Sequence, residues 1–241
     1  MKPALPLLLA ACGALLAGCG GEASVRPPCP TGEICMEFGN SAEPGTIDPQ
    51  KYNSTWEANI IGELMVGLTE SGPDGLAVPG MATHWETSAD GLTWTFHLRH
   101  SKWSDGVELT ADDFVYSMRR VMDPQTASEY AFLLYVVKNG EAVNDGKAPL
   151  TALGVEAPDP YTLRIHLEHP APYFLYITTH QVMYPVARHV VEKWGDHWTE
   201  PAHWVSNGAY KLAYWTLGDH IRVVRNPMFY DAGSVLSLIH I

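Results

Sequence analysis

Two stretches of this chain alternate strictly between apolar and polar residues. In Leu92-Thr93-Trp94-Thr95-Phe96-His97-Leu98-Arg99 every second side chain from Leu92 is apolar, and Thr162-Leu163-Arg164-Ile165-His166-Leu167 repeats the pattern. A period of two marks a strand with one face on a core and the other in water, so the chain must build at least one half-buried sheet. Turn signals punctuate it at Gly72-Pro73-Asp74-Gly75, Asp90-Gly91, Ser104-Asp105-Gly106, Asp159-Pro160 and Gly218-Asp219. Helical spacing occurs between the strands. Ile60, Ile61, Leu64, Met65 and Leu68 form one stripe over Glu57 to Leu68. Phe114, Val115, Met118 and Val121 form another, preceded by Thr110 as N-cap with Asp113 three residues on, and this helix should stop near Asp123-Pro124.

The remaining segments are read the same way. Ile34 to Phe38 is a strand, Ser128 to Lys138 an aromatic-rich helix, and 139–150 a loop. Ala77 to Trp85 is extended or irregular, Leu153 to Val155 a short strand, and Tyr173 to Thr179 a short helix or irregular segment. A helix opens at Pro185 and stops at Gly195 after Trp194, and Tyr210 to Trp215 and His220 to Arg225 are two strands. The fold class is therefore α+β or α/β, rich in loops and without an internal repeat.

The first residues stand apart from this pattern. Met1-Lys2 is a short positive end, Ala4 to Ala17 is apolar, and the stretch closes on Leu16-Ala17-Gly18-Cys19. That is the layout of a secretory signal peptide, too short for a comfortable membrane span. Its last four residues resemble the lipobox of bacterial lipoproteins. The resemblance implies a leader over 1–18, lipid attached to the Cys19 thiol, and an exported chain held at a membrane in the periplasmic space or cell envelope. Leu9-Ala10-Ala11-Cys12 also fits but leaves a shorter apolar core, and an ordinary signal peptide is the plainer alternative. Residues 19–33, with three prolines and three glycines, read as a flexible tether. Cys29 and Cys35 enclose a short loop that a disulfide can close in an oxidising compartment.

Charge and motifs exclude several functions. Lys and Arg number 15 against 27 acids, a formal net charge of -12 with no basic run, which opposes nucleic-acid binding. His97/His100 and His166/His169 are spaced three apart on strands, so their side chains diverge and no metal is expected. No metalloprotease HExxH, nucleophile elbow or phosphate-binding loop is present, and no nucleophile, base and metal set assembles; neither an enzyme nor a cofactor is expected, and a secreted hydrolase is the weakest alternative.

Longer runs carry a resemblance. They include Glu43-Pro44-Gly45-Thr46-Ile47-Asp48-Pro49, Lys102-Trp103-Ser104-Asp105-Gly106, Thr110-Ala111-Asp112-Asp113-Phe114-Val115-Tyr116, Asp123-Pro124-Gln125-Thr126-Ala127-Ser128, Pro172-Tyr173-Phe174 and Asn207-Gly208-Ala209-Tyr210-Lys211-Leu212. Over roughly residues 36 to 231 the chain resembles the extracytoplasmic solute-binding proteins, family 5, that serve peptide ABC transporters. The resemblance implies a periplasmic-binding-protein-like clamp of two lobes, of which this chain holds most of the first. Residues 34–65 would open that lobe, 66–189 would form its accessory subdomain, and 190–231 would return to it. Residues 232–241 depart from the family's continuation and read as a truncation or artefact, and a strand made from them would lack its natural partners.

The implied function is the substrate-binding component of an importer, which holds short peptides by their backbone and delivers them to a membrane permease. It would act as a monomer when full length. Another cargo on the same fold (a nickel complex, haem, an oligosaccharide) or a surface peptide sensor are the alternatives. The resemblance places the backbone-gripping segment at Asn53, Ser54 and Thr55, with Trp56 next, and all three preceding Trp56 should offer free backbone groups. Asn207 and Tyr210 are second candidates for the cleft, and Gly208 should permit a close backbone approach. The carboxylate that holds a peptide's amino terminus has no counterpart in this chain.

Overall fold

The computed structural model describes residues 29, 31, 34–235 and 239–240. The chain divides into two compact units, residues 1–31 and 32–241. The expected leader over 1–18, the lipobox with Cys19 and most of the tether lie outside the described residues. The second unit is an α+β fold with open sheets, and among the described residues no helix is long and apolar enough to cross a membrane.

It begins with β1 (Met36–Glu37) and α1 (Thr55–Leu64), followed by the hairpin of β2 (Thr69–Ser71) and β3 (Ala77–Pro79). The strand expected over Ile34 to Phe38 shrinks to two residues. The α1 helix starts two residues before Glu57 and ends four before Leu68, because the backbone turns extended at Met65. Leu68 still reaches the core from outside the helix, which is why the apolar stripe overruns it.

The alternating segments become β5 (Thr93–Leu98) and β9 (Thr162–His166), central in an antiparallel sheet whose edges are β4 (Ala82–Thr87) and β8 (Val155–Asp159). Trp94 pairs with Ile165 and Phe96 with Leu163, so both apolar faces point the same way. On the core side they meet Phe174, whose ring centroid lies 5.8 Å from that of Trp94. The small hairpin of β6 (Ser101–Lys102) and β7 (Glu108–Leu109) turns at Gly106, where φ is +91°. It leads into α2 (Ala111–Met122), whose capping box joins Thr110 and Asp113 as the sequence indicates.

The helix expected over Ser128 to Lys138 does not form beyond a single 3-10 turn, Ala131–Leu134. Tertiary pairing prevails over local spacing: Val137 bridges Leu167 and the Lys138 amide donates to the His166 carbonyl at 2.8 Å, which pulls this stretch alongside the sheet. The expected loop after it contains α3 (Gly140–Asn144). Then come α4 (Phe174–Ile177) and α5 (Arg188–Trp194), which starts three residues after Pro185 because the Val186 amide donates to Ser117 Oγ on α2 at 2.8 Å.

The chain finishes in β10 (Tyr210–Thr216) and β11 (His220–Arg225), joined through Gly218 at φ +72°. They share a sheet with β1 in the order β1-β12-β11-β10, where β12 is Ile239–His240. Ile239–His240 pairs parallel to β1 and antiparallel to β11.

Candidate functional site

The segment from Asp48 to Trp56 is built from a turn, a buried ion pair and a helix start. The Lys51 and Tyr52 amides donate to the Asp48 carbonyl, and the Gln50 amide donates to Asp48 Oδ1 at 3.0 Å. The same carboxylate takes both terminal nitrogens of Arg120 on α2, at 2.9 and 2.6 Å, and Gln50 Oε1 accepts from the guanidinium as well. Asp48 is 3% exposed. A two-point guanidinium–carboxylate pair fixes orientation as well as distance, so the turn is held rigidly on α2.

Asn53, Thr55 and Trp56 are exposed and Ser54 half-buried. Ser54 is extended at φ -131°, and Thr55 is the first residue of α1. Glu57, three residues after Ser54, reaches back under the segment. Its Oε2 accepts from the Asn53 amide (2.9 Å) and the Ser54 amide (3.2 Å), and its Oε1 from those of Gly45 (2.9 Å) and Thr46 (3.1 Å). Four otherwise unmet donors end on one buried carboxylate. Two of the three amides expected to be free before Trp56 are therefore already engaged, and the Ser54 carbonyl accepts from Ala58. Among the described residues, nothing engages the Thr55 amide or the Asn53 carbonyl, which remain for a passing chain. The Ser-x-x-Glu spacing of Ser54 and Glu57 carried this signal in the sequence.

Burial pushes the Glu57 carboxyl up, but the donors from Asn53, Ser54, Thr46 and Gly45 together outweigh it and hold the group below its ordinary value of 4.5. A depressed carboxyl adds stability that is present above the ordinary value and lost as pH falls through the folded one. Acidification should thus release the Asn53 and Ser54 amides. Hydrogen exchange at these two positions, corrected for the intrinsic rate, should accelerate below pH 4.5 before the core amides of β5 do; protection that persists until global unfolding would contradict the clamp.

Beside the segment lies an aromatic shelf that the sequence did not reveal. The Tyr52 and Tyr130 ring centroids are 5.3 Å apart, Tyr130 meets His180 edge-on at 4.8 Å, and Phe132 lies 6.3 Å from Tyr130. The Tyr52 hydroxyl is 3.2 Å from His180 Nδ1. Burial pulls the His180 imidazole down, so it stays neutral at pH 7, and burial pushes the Tyr52 phenol up. Phe132 is 56% exposed, and the side-chain amide of Asn53 donates to Glu129 Oε1 at 2.8 Å, which ties the shelf to the segment. Trp56 is 36% exposed and its carbonyl accepts from the Asn40 side chain at 2.9 Å. The arrangement offers flat apolar rings next to backbone donors and acceptors, suited to an extended, amide-bearing ligand.

Asn207 and Tyr210 lie elsewhere. They meet the C-terminal end of α1, while Asn53 lies at its N-terminal end; ten residues of helix separate the two by about 15 Å. Asn207 is fully buried; its Oδ1 accepts from the Val66 amide (3.1 Å) and its Nδ2 donates to the Val66 carbonyl (2.8 Å). Gly208 makes the expected close approach, since a Cβ there would lie 2.6 Å from backbone atoms of Leu64 and Met65. Tyr210, 7% exposed, opens β10 opposite Arg225, and burial pushes its phenol up. Cys29 and Cys35 are each disulfide-bonded.

A cavity of about 640 Å³ lies between α2 and α5, with Lys51, Tyr116, Arg119, Arg188, Glu192 and Asp196 among its walls. Lys51 pairs with Asp196 at 3.3 Å and Arg188 with Glu192 at 2.7 Å, and of the segment only Lys51 lines it. Among the described residues, no group of three or more His, Cys, Asp or Glu side chains is placed to hold a metal ion.

Known proteins share this sequence and geometry. Residues 77–237 match the family described as bacterial extracellular solute-binding proteins, family 5 Middle. The periplasmic oligopeptide-binding protein of Haemophilus influenzae is 44% identical over 195 residues, 80% of this chain and 36% of that protein. The crystal structure of Haemophilus influenzae OppA in complex with RPPGFSPFR superposes with a TM-score of 0.84 at 41% identity, covering 87% of this chain and 42% of that one. A probable deoxycholate-binding periplasmic protein of Escherichia coli is 40% identical over 200 residues, 82% of this chain and 37% of that protein. The chain thus spans about two fifths of the length of these relatives.

Proposed function

We propose, from the premise that this chain belongs to the bacterial extracellular solute-binding proteins of family 5, that it is a non-catalytic peptide receptor serving a membrane importer. It acts outside the cytoplasm, where it captures short peptides and presents them to an ABC permease. The observation that carries the reading is the exposed Asn53–Trp56 segment, held rigid by Glu57 and Asp48 and flanked by the rings of Tyr130 and Phe132. A rigid segment lowers the ordering cost of binding, and contact with peptide main chain tolerates many ligand sequences. Asn207 and Tyr210 support the site indirectly, by fixing the far end of α1.

The family's clamp has two lobes. Residues 34–65 open the first, 66–189 form its accessory subdomain and 190–231 return to it. Two observations support this division: β10 and β11 share a sheet with β1, and the sheet β4-β5-β9-β8 and α2 arise wholly between residues 66 and 189. The finer reading of the leader is a lipoprotein signal over 1–18 with the lipid on Cys19, which tethers the receptor near its permease; the Leu16-Ala17-Gly18-Cys19 sequence supports it.

Isothermal calorimetry with a mixed pool of tri- to pentapeptides tests the cargo. The reading expects saturable heat with the pool. No heat with peptides, together with binding of deoxycholate, a nickel complex or an oligosaccharide, would replace it with a receptor for that solute. Deoxycholate enters the panel because one 40%-identical relative carries that name.

A further inference from the structure

We propose that Glu129 is a specificity-determining residue that makes this site prefer peptides bearing a cationic side chain next to Asn53–Thr55. The inference rests on the peptide-binding reading above and deepens it.

Three observations carry it. Glu129 is exposed, yet its Oε1 is anchored at the segment by the Asn53 side-chain amide at 2.8 Å. An ionised carboxylate can accept about four hydrogen bonds, and Asn53 supplies one, so the group keeps capacity for a ligand donor. The next residue is Tyr130, and Phe132 beside it is 56% exposed; aromatic ring faces attract ammonium and guanidinium groups. The other charges of the neighbourhood are already matched. Lys51 faces Asp196 at 3.3 Å, Asp48 holds Arg120, and Glu57 takes four backbone amides. His180, half-buried among the rings, adds no competing positive charge at neutral pH. Among the described residues beside the segment, Glu129 is therefore a charge without an ionic partner. A ligand lysine or arginine there meets a carboxylate and two ring faces, and an acidic side chain meets repulsion.

The experiment uses the 241-residue chain and alanine tripeptides that carry one lysine, one norleucine or one glutamate at each position in turn. Backbone amide shifts in nuclear magnetic resonance spectra read even weak binding. At the favoured position lysine should bind about three- to tenfold more tightly than norleucine, with glutamate weakest. Glu129→Gln keeps an acceptor for Asn53 and removes only the charge, so the lysine-to-norleucine ratio should fall towards one. In the unaltered chain the ratio should also shrink at about 0.5 M salt. If tripeptides bind but norleucine equals lysine, or the preference survives Glu129→Gln, the inference is overturned while the peptide reading stands. If no tripeptide of any charge shifts an amide, the reading and the inference fall together.

Discussion

Replacing Asp48 by Ala lowers the free energy of unfolding by about 3–5 kcal/mol, because it leaves the Arg120 guanidinium buried without its counter-ion. The side chains of Asp48 and Arg120 are 4% and 13% exposed, so water cannot readily take the lost partner's place. The pair is bidentate, and the Arg120 guanidinium also lies 5.8 Å from the Trp198 ring centroid, which leaves it little freedom to turn outward. Urea unfolding followed by tryptophan fluorescence measures the loss. A double replacement, Asp48→Leu with Arg120→Met, removes both charges and should recover much of it, since apolar residues of similar volume often substitute for a buried pair at little cost. A loss below about 1 kcal/mol for Asp48→Ala would show the pair behaving as an exposed one. The consequence reaches the site, because Asp48 caps the turn that leads directly into Asn53.

Trp103→Ala is expected to cost about 3–5 kcal/mol in the same assay, the range for emptying a large aromatic from a core. Trp103 is 0% exposed and opens the run that leads to α2. Its indole N–H donates to Asp113 Oδ2 at 3.4 Å, and the Thr110 amide donates to the same oxygen at 2.9 Å. Burial pushes the Asp113 carboxyl up despite these donors. Trp103→Phe keeps most of the volume and removes one donor, so it should cost less, about 1–2 kcal/mol. Equal losses for Ala and Phe would show that the hydrogen bond, not the packing, dominates at this position.

The parts of the fold legible in the sequence are those fixed by local periodicity and capping. The β5 and β9 strands follow from alternation alone, and α2 from its stripe and the Thr110–Asp113 cap. Where neighbours far along the chain decide, local spacing misleads. Residues 128–138 carry helical spacing, but pairing of Val137 with Leu167 draws them out of a helix. Pro185 favours a helix start, but Ser117 Oγ takes the Val186 amide, and α5 is delayed to Arg188.

The candidate site divides in the same way. Asn53–Trp56 is proposed through resemblance alone, and Asn53, Thr55 and Trp56 are exposed. The Glu57 clamp was written in the Ser54–Glu57 spacing, yet it alters which backbone groups are available. The aromatic shelf joins Tyr52 to Tyr130 and His180, residues 78 and 128 positions away, and no local pattern announces such contacts. Asn207 shows the converse. The resemblance offers it as a second candidate for the cleft, and its side-chain amide bonds both backbone groups of Val66.

The central claim is that a peptide's backbone runs along Asn53 to Trp56, next to the Tyr130 ring. Mapping amide shifts while a mixed peptide pool is titrated into the chain tests it most directly. The account predicts the largest saturable shifts at Thr55 and its neighbours and at Tyr130, with little change at Asn207 and Tyr210. Shifts that spare this segment and gather instead around the cavity between α2 and α5 would contradict it.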